Sequence, residues 1–270
     1  MGHYADFHQR SIQDRDAFWA EQAKQIEWHK EPTEICDYSN PPFAKWFKGG
    51  ETNLCHNALD RHLQDRGEQA ALIFVSTETD QEVTYTYRQL HAEVQRMAAS
   101  FLSLGVKKGD RVLIYMPMIA EASFAMLACA RIGAIHSVVF GGFASGSLAS
   151  RIEDASPKLI VSADAGSRGG KVVEYKPLLD EAIRLSAHKP DSVLLVDRGL
   201  AKMAMTEGRD LLWSNLRSQH MNDEVPCEWV DATHPSYTLY TSGTTGKPKG
   251  VQRDTGGYTV ALASSIPNIF

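Results

Sequence analysis

RVLIYMPMIAEASFAMLACARIGAIHSVVF, residues Arg111–Phe140, decides the fold class. Arg111–Tyr115 is an apolar run of strand length. Ile119–Ile132 is apolar at helix length, and Ile135–Phe140 is again a short apolar run. Strand, helix and strand in that order make a βαβ unit. The strands are too uniformly apolar for a sheet with one wet face, so the expected sheet is parallel and covered on both faces.

The rhythm continues on either side. Downstream, helices are expected at about Ser147–Asp154 and Glu174–Ala187, with strands at Lys158–Ser162 and Ser192–Val196. Upstream, Leu54, Ala58, Leu59 and Leu63 mark one helical face, and Ala71–Val75 and Glu82–Tyr85 read as strands. Thr86 and Gln89 have the spacing of a capping box. The stripe Leu90, Val94, Met97, Ala98, Phe101 and Leu102 follows it, and Gly105 ends the helix as a C-cap. The resulting fold class is α/β, a parallel sheet flanked by helices on both faces.

Residues 1–52 differ. Phe18, Trp19, Ile26, Trp28, Phe43, Trp46 and Phe47 crowd a stretch with no strand-like pattern. Asp14 or Asp16 could cap a short helix running to about Ile26, and Pro41-Pro42 would force extended chain after it. The expectation is an irregular N-terminal extension that packs on its neighbour. Residues 53–235 then form the α/β subdomain. Within it, Asp197–Pro235 breaks the rhythm, with one short helix expected around Trp213 and Leu216. Residues 236–270 read as the start of a second subdomain: a strand at Tyr237–Tyr240, a loop, and a helix from about Gly257 to Ser265.

Composition excludes several function classes. A formal net charge of −5 does not suit a nucleic-acid surface. The longest apolar stretch, Ile119–Ile135, is interrupted by Glu121 and Arg131 and is too short to span a bilayer. Cys36, Cys55, Cys129 and Cys227 show neither metal-ligand spacing nor a disulfide rhythm. His3, Asp6, His8 and Arg10 fill the position where a secretory signal would be apolar. A reducing, cytoplasmic compartment is expected, and the ten histidines read as surface or hydrogen-bonded side chains.

Ligands of open parallel sheets bind outside the carboxyl ends of the strands. Three unusual loops are expected at that edge. Gly141-Gly142-Phe143 follows Phe140 and offers a backbone that another group can approach closely. Asp164–Lys171 contains Arg168-Gly169-Gly170-Lys171, two cations across two glycines. The third, YTSGTTGKPKG at Tyr240–Gly250, packs three glycines, four aliphatic hydroxyls and two lysines into eleven positions. Glycines let backbone N–H groups curl around an anion. Thr241, Ser242, Thr244 and Thr245 add hydroxyl donors, and Lys247 and Lys249 add charge. Gly243 and Gly246 enclose only two residues and Pro248 follows Lys247, so this is not the phosphate loop of kinases and GTPases. Lys249-Gly250-Val251 reads as a turn back into extended chain.

That loop resembles, almost letter for letter, the phosphate loop of the adenylate-forming acyl-CoA synthetases. RIGAIHSVVFGGFA at Arg131–Ala144, SADAGSRGGK at Ser162–Lys171, LLVDRGLAKM at Leu194–Met203 and GVQRDTGGY at Gly250–Tyr258 resemble the family's short-chain branch. The resemblance covers about Asp6–Phe270 and corresponds to the family's N-terminal part. It implies an ATP-dependent, AMP-forming acid–thiol ligase, with propionate as the expected acid and acetate as the alternative. ATP, coenzyme A and Mg²⁺ are the implied cofactors. The implied partners are the small carboxylate and the remainder of the enzyme's own chain, with neither nucleic acid nor membrane.

The resemblance also assigns residues. Thr241, Ser242, Gly243, Thr244, Thr245, Gly246, Lys247 and Lys249 inherit the ATP phosphates. Phe140, Gly141, Gly142, Arg168, Gly169, Gly170 and Lys171 inherit the nucleotide portion of coenzyme A. The family's acetate-type pattern usually carries Arg where Lys171 stands, which keeps the charge and changes the geometry. No general base, triad or metal ligand is implied, because a carboxylate is already a nucleophile. The acyl pocket, the adenine and ribose motifs and the mobile domain with its catalytic lysine fall beyond the matched residues, so the 270 residues alone are expected to be inactive. The alternative from another class is a non-catalytic module that binds nucleotide or coenzyme A.

Overall fold

The computed structural model describes residues 3–241 and 248–269. The first segment is more regular than its sequence suggests. Helix α1 (His3–Gln13) is followed by α2 (Arg15–Gln22) and a 3-10 turn at Ala23–Gln25. Asp14 stands at the N-cap of α2, yet its side chain makes no capping hydrogen bond. Two strands then correct the expectation of a strand-free extension: β1 (Glu34–Asn40) and β2 (Phe43–Lys48) pair antiparallel. Pro41-Pro42 forms the turn between them, with a cis peptide bond, where extended chain was expected.

The hairpin was hidden because β1 buries only Cys36 and so has no alternating apolar face. Lys48 clamps it across the strands to Asp37 at 2.8 Å and Glu34 at 3.3 Å. Phe47 closes a small separate core with Ala23, Ile26, Ala232 and Val260.

Next come β3 (Glu51–Thr52), α3 (Leu54–Ala58) and α4 (Leu63–Arg66), then the antiparallel pair β4 (Ala70–Ser76) and β5 (Gln81–Thr86). Helix α5 (Tyr87–Ser103) begins with the expected reciprocal capping box of Thr86 and Gln89. It ends before Gly105, whose φ of +80° is the left-handed conformation that stops a helix.

The central unit is β6 (Arg111–Met116), α6 (Ala120–Arg131) and β7 (Ile135–Phe140). It continues through α7 (Ser145–Ala155), β8 (Leu159–Ala163), the small hairpin β9 (Ala165–Arg168) and β10 (Lys171–Glu174), α8 (Tyr175–Leu185) and β11 (Ser192–Val196). Strand β12 (Asp210–Leu212) and the short helix α9 (Trp213–Gln219) follow, the latter where Trp213 and Leu216 placed it. Finally come β13 (Val230–Asp231), β14 (Pro235–Thr241), β15 (Lys249–Asp254) and α10 (Thr255–Ile269).

Among the described residues the main sheet has seven strands in the order β12-β11-β8-β6-β7-β14-β15. All neighbours are parallel except β14 and β15, which are antiparallel. The expected α/β class is therefore correct. Strand β8 is buried throughout and β6 from Val112 onward, as strands covered on both faces must be. The β6–α6–β7 crossover runs toward β14, whereas β7–α7–β8 and β8–α8–β11 run the other way. Right-handed crossovers in opposite directions set α6 on one face and α7 with α8 on the other. Strands β6 and β8 are neighbours whose following crossovers diverge, so a crevice opens between their carboxyl ends.

Candidate functional site

All three candidate loops leave the sheet at its carboxyl edge, after β7, β8 and β14. The loop after β7 is held from below. Tyr115 on β6 donates its hydroxyl to the carbonyls of Phe143 at 3.1 Å and Gly141 at 3.4 Å. Burial pushes the Tyr115 phenol up to about 12, so it stays a donor at any working pH.

Gly141 has a specific reason to be glycine. A Cβ there would lie 2.2 Å from the hydroxyl of Tyr175, and one on Gly166 would lie 2.8 Å from the same atom. Tyr175 opens α8 and is 7% exposed. Its ring thus occupies the space that two glycines vacate, and it joins the loop after β7 to the β9–β10 hairpin. Sequence reasoning took Gly141 as room for a ligand and gave Tyr175 no role. Gly141→Ala is expected to cost about 1–3 kcal/mol through overpacking, with part recovered in Gly141→Ala/Tyr175→Leu. Urea unfolding of the two variants checks this; a Gly141→Ala chain as stable as the parent would show that the tyrosine yields freely.

After β8, Asp164 is wholly buried. Its Oδ2 accepts N–H bonds from Leu200 at 2.7 Å and Ala201 at 3.2 Å, and its backbone carbonyl accepts from Tyr175 N–H. This pins the chain as it enters the β9–β10 hairpin. Gly169 (φ +58°) and Gly170 (φ +76°) form the two-residue tip, a conformation only glycine adopts without strain. Nothing lies within 4 Å of the position of a Cβ on either, so the tip is open. Arg168 and Lys171 are register partners, which puts the two basic positions directly opposite each other at the tip.

The hairpin is anchored at its base by residues the sequence gave no reason to select. Ser167 N–H donates to Glu78 at 2.8 Å, Arg198 donates to the Ala165 carbonyl at 2.9 Å, and Arg198 pairs with Glu78 at 2.6 Å.

The third loop has closed ends. Thr241 and Lys249 are register partners of β14 and β15, so the chain does turn back into extended structure as expected. Ser242, Gly243, Thr244, Thr245, Gly246 and Lys247 lie outside the described residues. The Tyr240 hydroxyl donates to Asp154 on α7 at 2.6 Å. Phe140, at the end of β7, is 61% exposed at the same edge.

One cluster away from this edge would not be found from spacing. Cys55, Asp60 and Cys227 bring ligand atoms within 4.8 Å of one another. The Arg131 guanidinium already fills the role of counter-charge there. It pairs with both Asp60 oxygens at 2.9 Å and donates to the Cys55 sulfur at 3.5 Å. No metal is assigned to these residues. Among the described residues no helix is long and apolar enough to cross a membrane.

Comparison with known proteins adds the following. The model of AMP-binding enzymes matches residues 59–269, and that of the acetyl-coenzyme A synthetase N-terminus matches residues 4–58. Propionate–CoA ligase of Salmonella typhimurium strain LT2 is 63% identical over 99% of this chain and 42% of its own length. Acetyl-coenzyme A synthetase of Methylobacterium radiotolerans is 48% identical over 99% of this chain, again 42% of its own length. The solved structure of acetoacetyl-CoA synthetase from Streptomyces lividans superposes with a TM-score of 0.88 at 29% identity, covering 98% of this chain and 40% of that one. The chain thus spans about two fifths of the length of the curated relatives it matches.

Proposed function

The chain belongs to the AMP-binding enzyme family, and from that premise we propose that it supplies the phosphate loop and the coenzyme A loops of an AMP-forming acyl-CoA ligase acting on propionate. The observation that carries this reading is the convergence of two basic segments on one sheet edge. The hairpin with Arg168 opposite Lys171, and the loop whose ends meet at Thr241 and Lys249, both leave carboxyl ends of the same sheet.

The reaction has two steps. An oxygen of the carboxylate attacks the α-phosphorus of ATP, and the bond to the β-phosphate oxygen breaks, giving acyl-adenylate and pyrophosphate. The sulfur of coenzyme A then attacks the acyl carbon, the thiol proton is lost, and AMP leaves. Pyrophosphate is the charged leaving group of the first step. The hydroxyls of Thr241, Ser242, Thr244 and Thr245, Lys247 and Lys249, and the loop's backbone N–H groups hold the β- and γ-phosphates as charge develops there. Mg²⁺ would arrive on the nucleotide. The exposed Thr241 hydroxyl is a donor of the hard oxygen type it takes, and no carboxylate of this chain is assigned to it.

Arg168 and Lys171 bind the phosphates of coenzyme A's nucleotide, with Phe140, Gly142, Gly169 and Gly170 forming the surface around it and Gly141, packed on Tyr175, holding that surface in place. In this reading residues 1–52 are the N-terminal extension, 53–235 the α/β subdomain and 236–270 the start of the second subdomain. The 270 residues by themselves give no ligase turnover, and the enzyme works in the cytoplasm.

The test is a comparison of kcat/KM for propionate and acetate with the gene product that carries this chain, following thioester and AMP. Propionate should be preferred by about 10–200-fold, the discrimination one methylene provides. A preference for acetate would reassign the substrate, and no thioester from either acid would remove the ligase reading.

A further inference from the structure

Arg151 on α7 is 6% exposed, and among the described residues no carboxylate lies within ion-pair distance of it. Its Nη1 donates to the Ser147 carbonyl and hydroxyl, each at 2.7 Å. The guanidinium sits 4.3 Å over the ring of Phe143 and 5.6 Å over that of Tyr240. Phe143 belongs to the loop after β7 and meets Phe140 edge-on, with centroids 5.8 Å apart. Tyr240 immediately precedes Thr241, and its hydroxyl is held by Asp154. Ser147, Arg151 and Asp154 are spaced four and three residues apart and share one face of α7.

A single helix face therefore touches both the candidate coenzyme A loop and the root of the candidate phosphate loop. A buried cation is costly unless something compensates it. Here the compensation comes from two aromatic faces and one serine, an arrangement that needs a flat guanidinium.

We propose that Arg151 is a positioning residue shared by the two substrate loops: wedged between Phe143 and Tyr240, it fixes the end of β14 against the loop after β7. The proposal rests on the reading of those loops given above. Without the wedge, the root of the phosphate loop and the Phe140–Phe143 surface lose their common reference, and ATP and coenzyme A both bind to displaced contacts.

The experiment uses the gene product that carries this chain, with KM measured separately for ATP, coenzyme A and propionate. Arg151→Lys keeps the charge and loses the flat face. It should raise KM for ATP and for coenzyme A by about tenfold each, the scale of one lost, partly desolvated cation–π contact, with KM for propionate unchanged. Arg151→Met should do the same. Tyr240→Leu should raise KM for ATP alike, and Arg151→Met/Tyr240→Leu should be no worse than the poorer single variant, because both remove one contact.

Arg151→Lys with parental KM values, or single effects that multiply in the double variant, would overturn the proposal. So would a loss of thermal stability with no selective change in KM. Lys247→Ala and Arg168→Ala separate the two levels. If these raise KM for ATP and coenzyme A while the Arg151 variants do not, only the role of Arg151 is wrong. If these too leave both values unchanged, the reading of the loops is wrong and the proposal falls with it.

Discussion

Replacing Arg131 by methionine is expected to lower the stability of the fold by about 3–5 kcal/mol, the cost of breaking one side of a buried ion pair. Arg131 ends α6 and is 2% exposed. Its Nε donates to the Val225 carbonyl at 2.5 Å, and its two terminal nitrogens grip Asp60 at 2.9 Å. One side chain thus joins α6 to the turn after α3 and to the segment leading into β13. Asp60 also receives His91 at 3.3 Å. Burial alone would raise the Asp60 carboxyl. The hydrogen bonds from His91 and Arg131, and the charge of the guanidinium, more than reverse this and hold it well below the ordinary carboxylate range.

The sign of the pH dependence follows. A carboxyl depressed in the fold contributes stability that is fully present above its unfolded value, about 4. That contribution is lost as pH falls through the folded value. The parent chain should lose it below about pH 4, and Arg131→Met should lack that part of the acid dependence. Urea unfolding at neutral and acid pH measures both. Arg131→Met/Asp60→Leu should recover much of the loss, since an apolar pair often replaces a buried ion pair at little cost. A single Arg131 variant within about 1 kcal/mol of the parent would mean that water reaches Asp60 and the lock is not closed.

Arg168→Ala carries the second large effect. It should raise KM for coenzyme A by about 10–100-fold, the scale of one or two charge-assisted hydrogen bonds to phosphate. Carboxylate-dependent exchange of pyrophosphate into ATP should be unchanged, because that half-reaction precedes coenzyme A. The hairpin gives a geometric basis for the split. Gly169 and Gly170 turn the chain in two residues, so position 168 stands opposite Lys171 on a hairpin that follows β8, whereas the Tyr240–Gly250 loop follows β14, with β6 and β7 between those strands in the sheet. Pyrophosphate exchange falling in step with coenzyme A affinity would instead tie Arg168 to the adenylation step.

The carboxyl-edge loops were legible in the sequence because each depends on local chemistry. The apolar runs Arg111–Tyr115 and Ile135–Phe140 need only their own composition to be read as buried strands. Thr86 and Gln89 form their capping box within one turn. Arg168–Lys171 was legible as a basic, glycine-containing loop, whereas its hairpin pairing shows only in the fold.

What was not legible depends on partners distant in the chain. Gly141 looked like a ligand-facing gap, and only the fold shows the Tyr175 hydroxyl filling it. Arg131 stood out in the sequence only as a charge interrupting an apolar stretch, yet its partners lie at Asp60 and Val225. The β1–β2 hairpin escaped notice because β1 buries only Cys36 and the aromatics of β2, Phe43, Trp46 and Phe47, do not alternate along the strand. Arg151 gave no signal at all, since a lone arginine on an amphipathic helix is most often a solvated residue.

The most direct test of adenylate chemistry is an oxygen-transfer measurement. The gene product that carries this chain would be given propionate labelled with ¹⁸O in both carboxylate oxygens, together with ATP and coenzyme A. Attack of the carboxylate on the α-phosphorus predicts one labelled oxygen in the phosphate of AMP and none in pyrophosphate. Label in inorganic phosphate, with ADP as the coproduct, would contradict adenylate formation and assign the loop at Tyr240–Gly250 to a different phosphoryl chemistry.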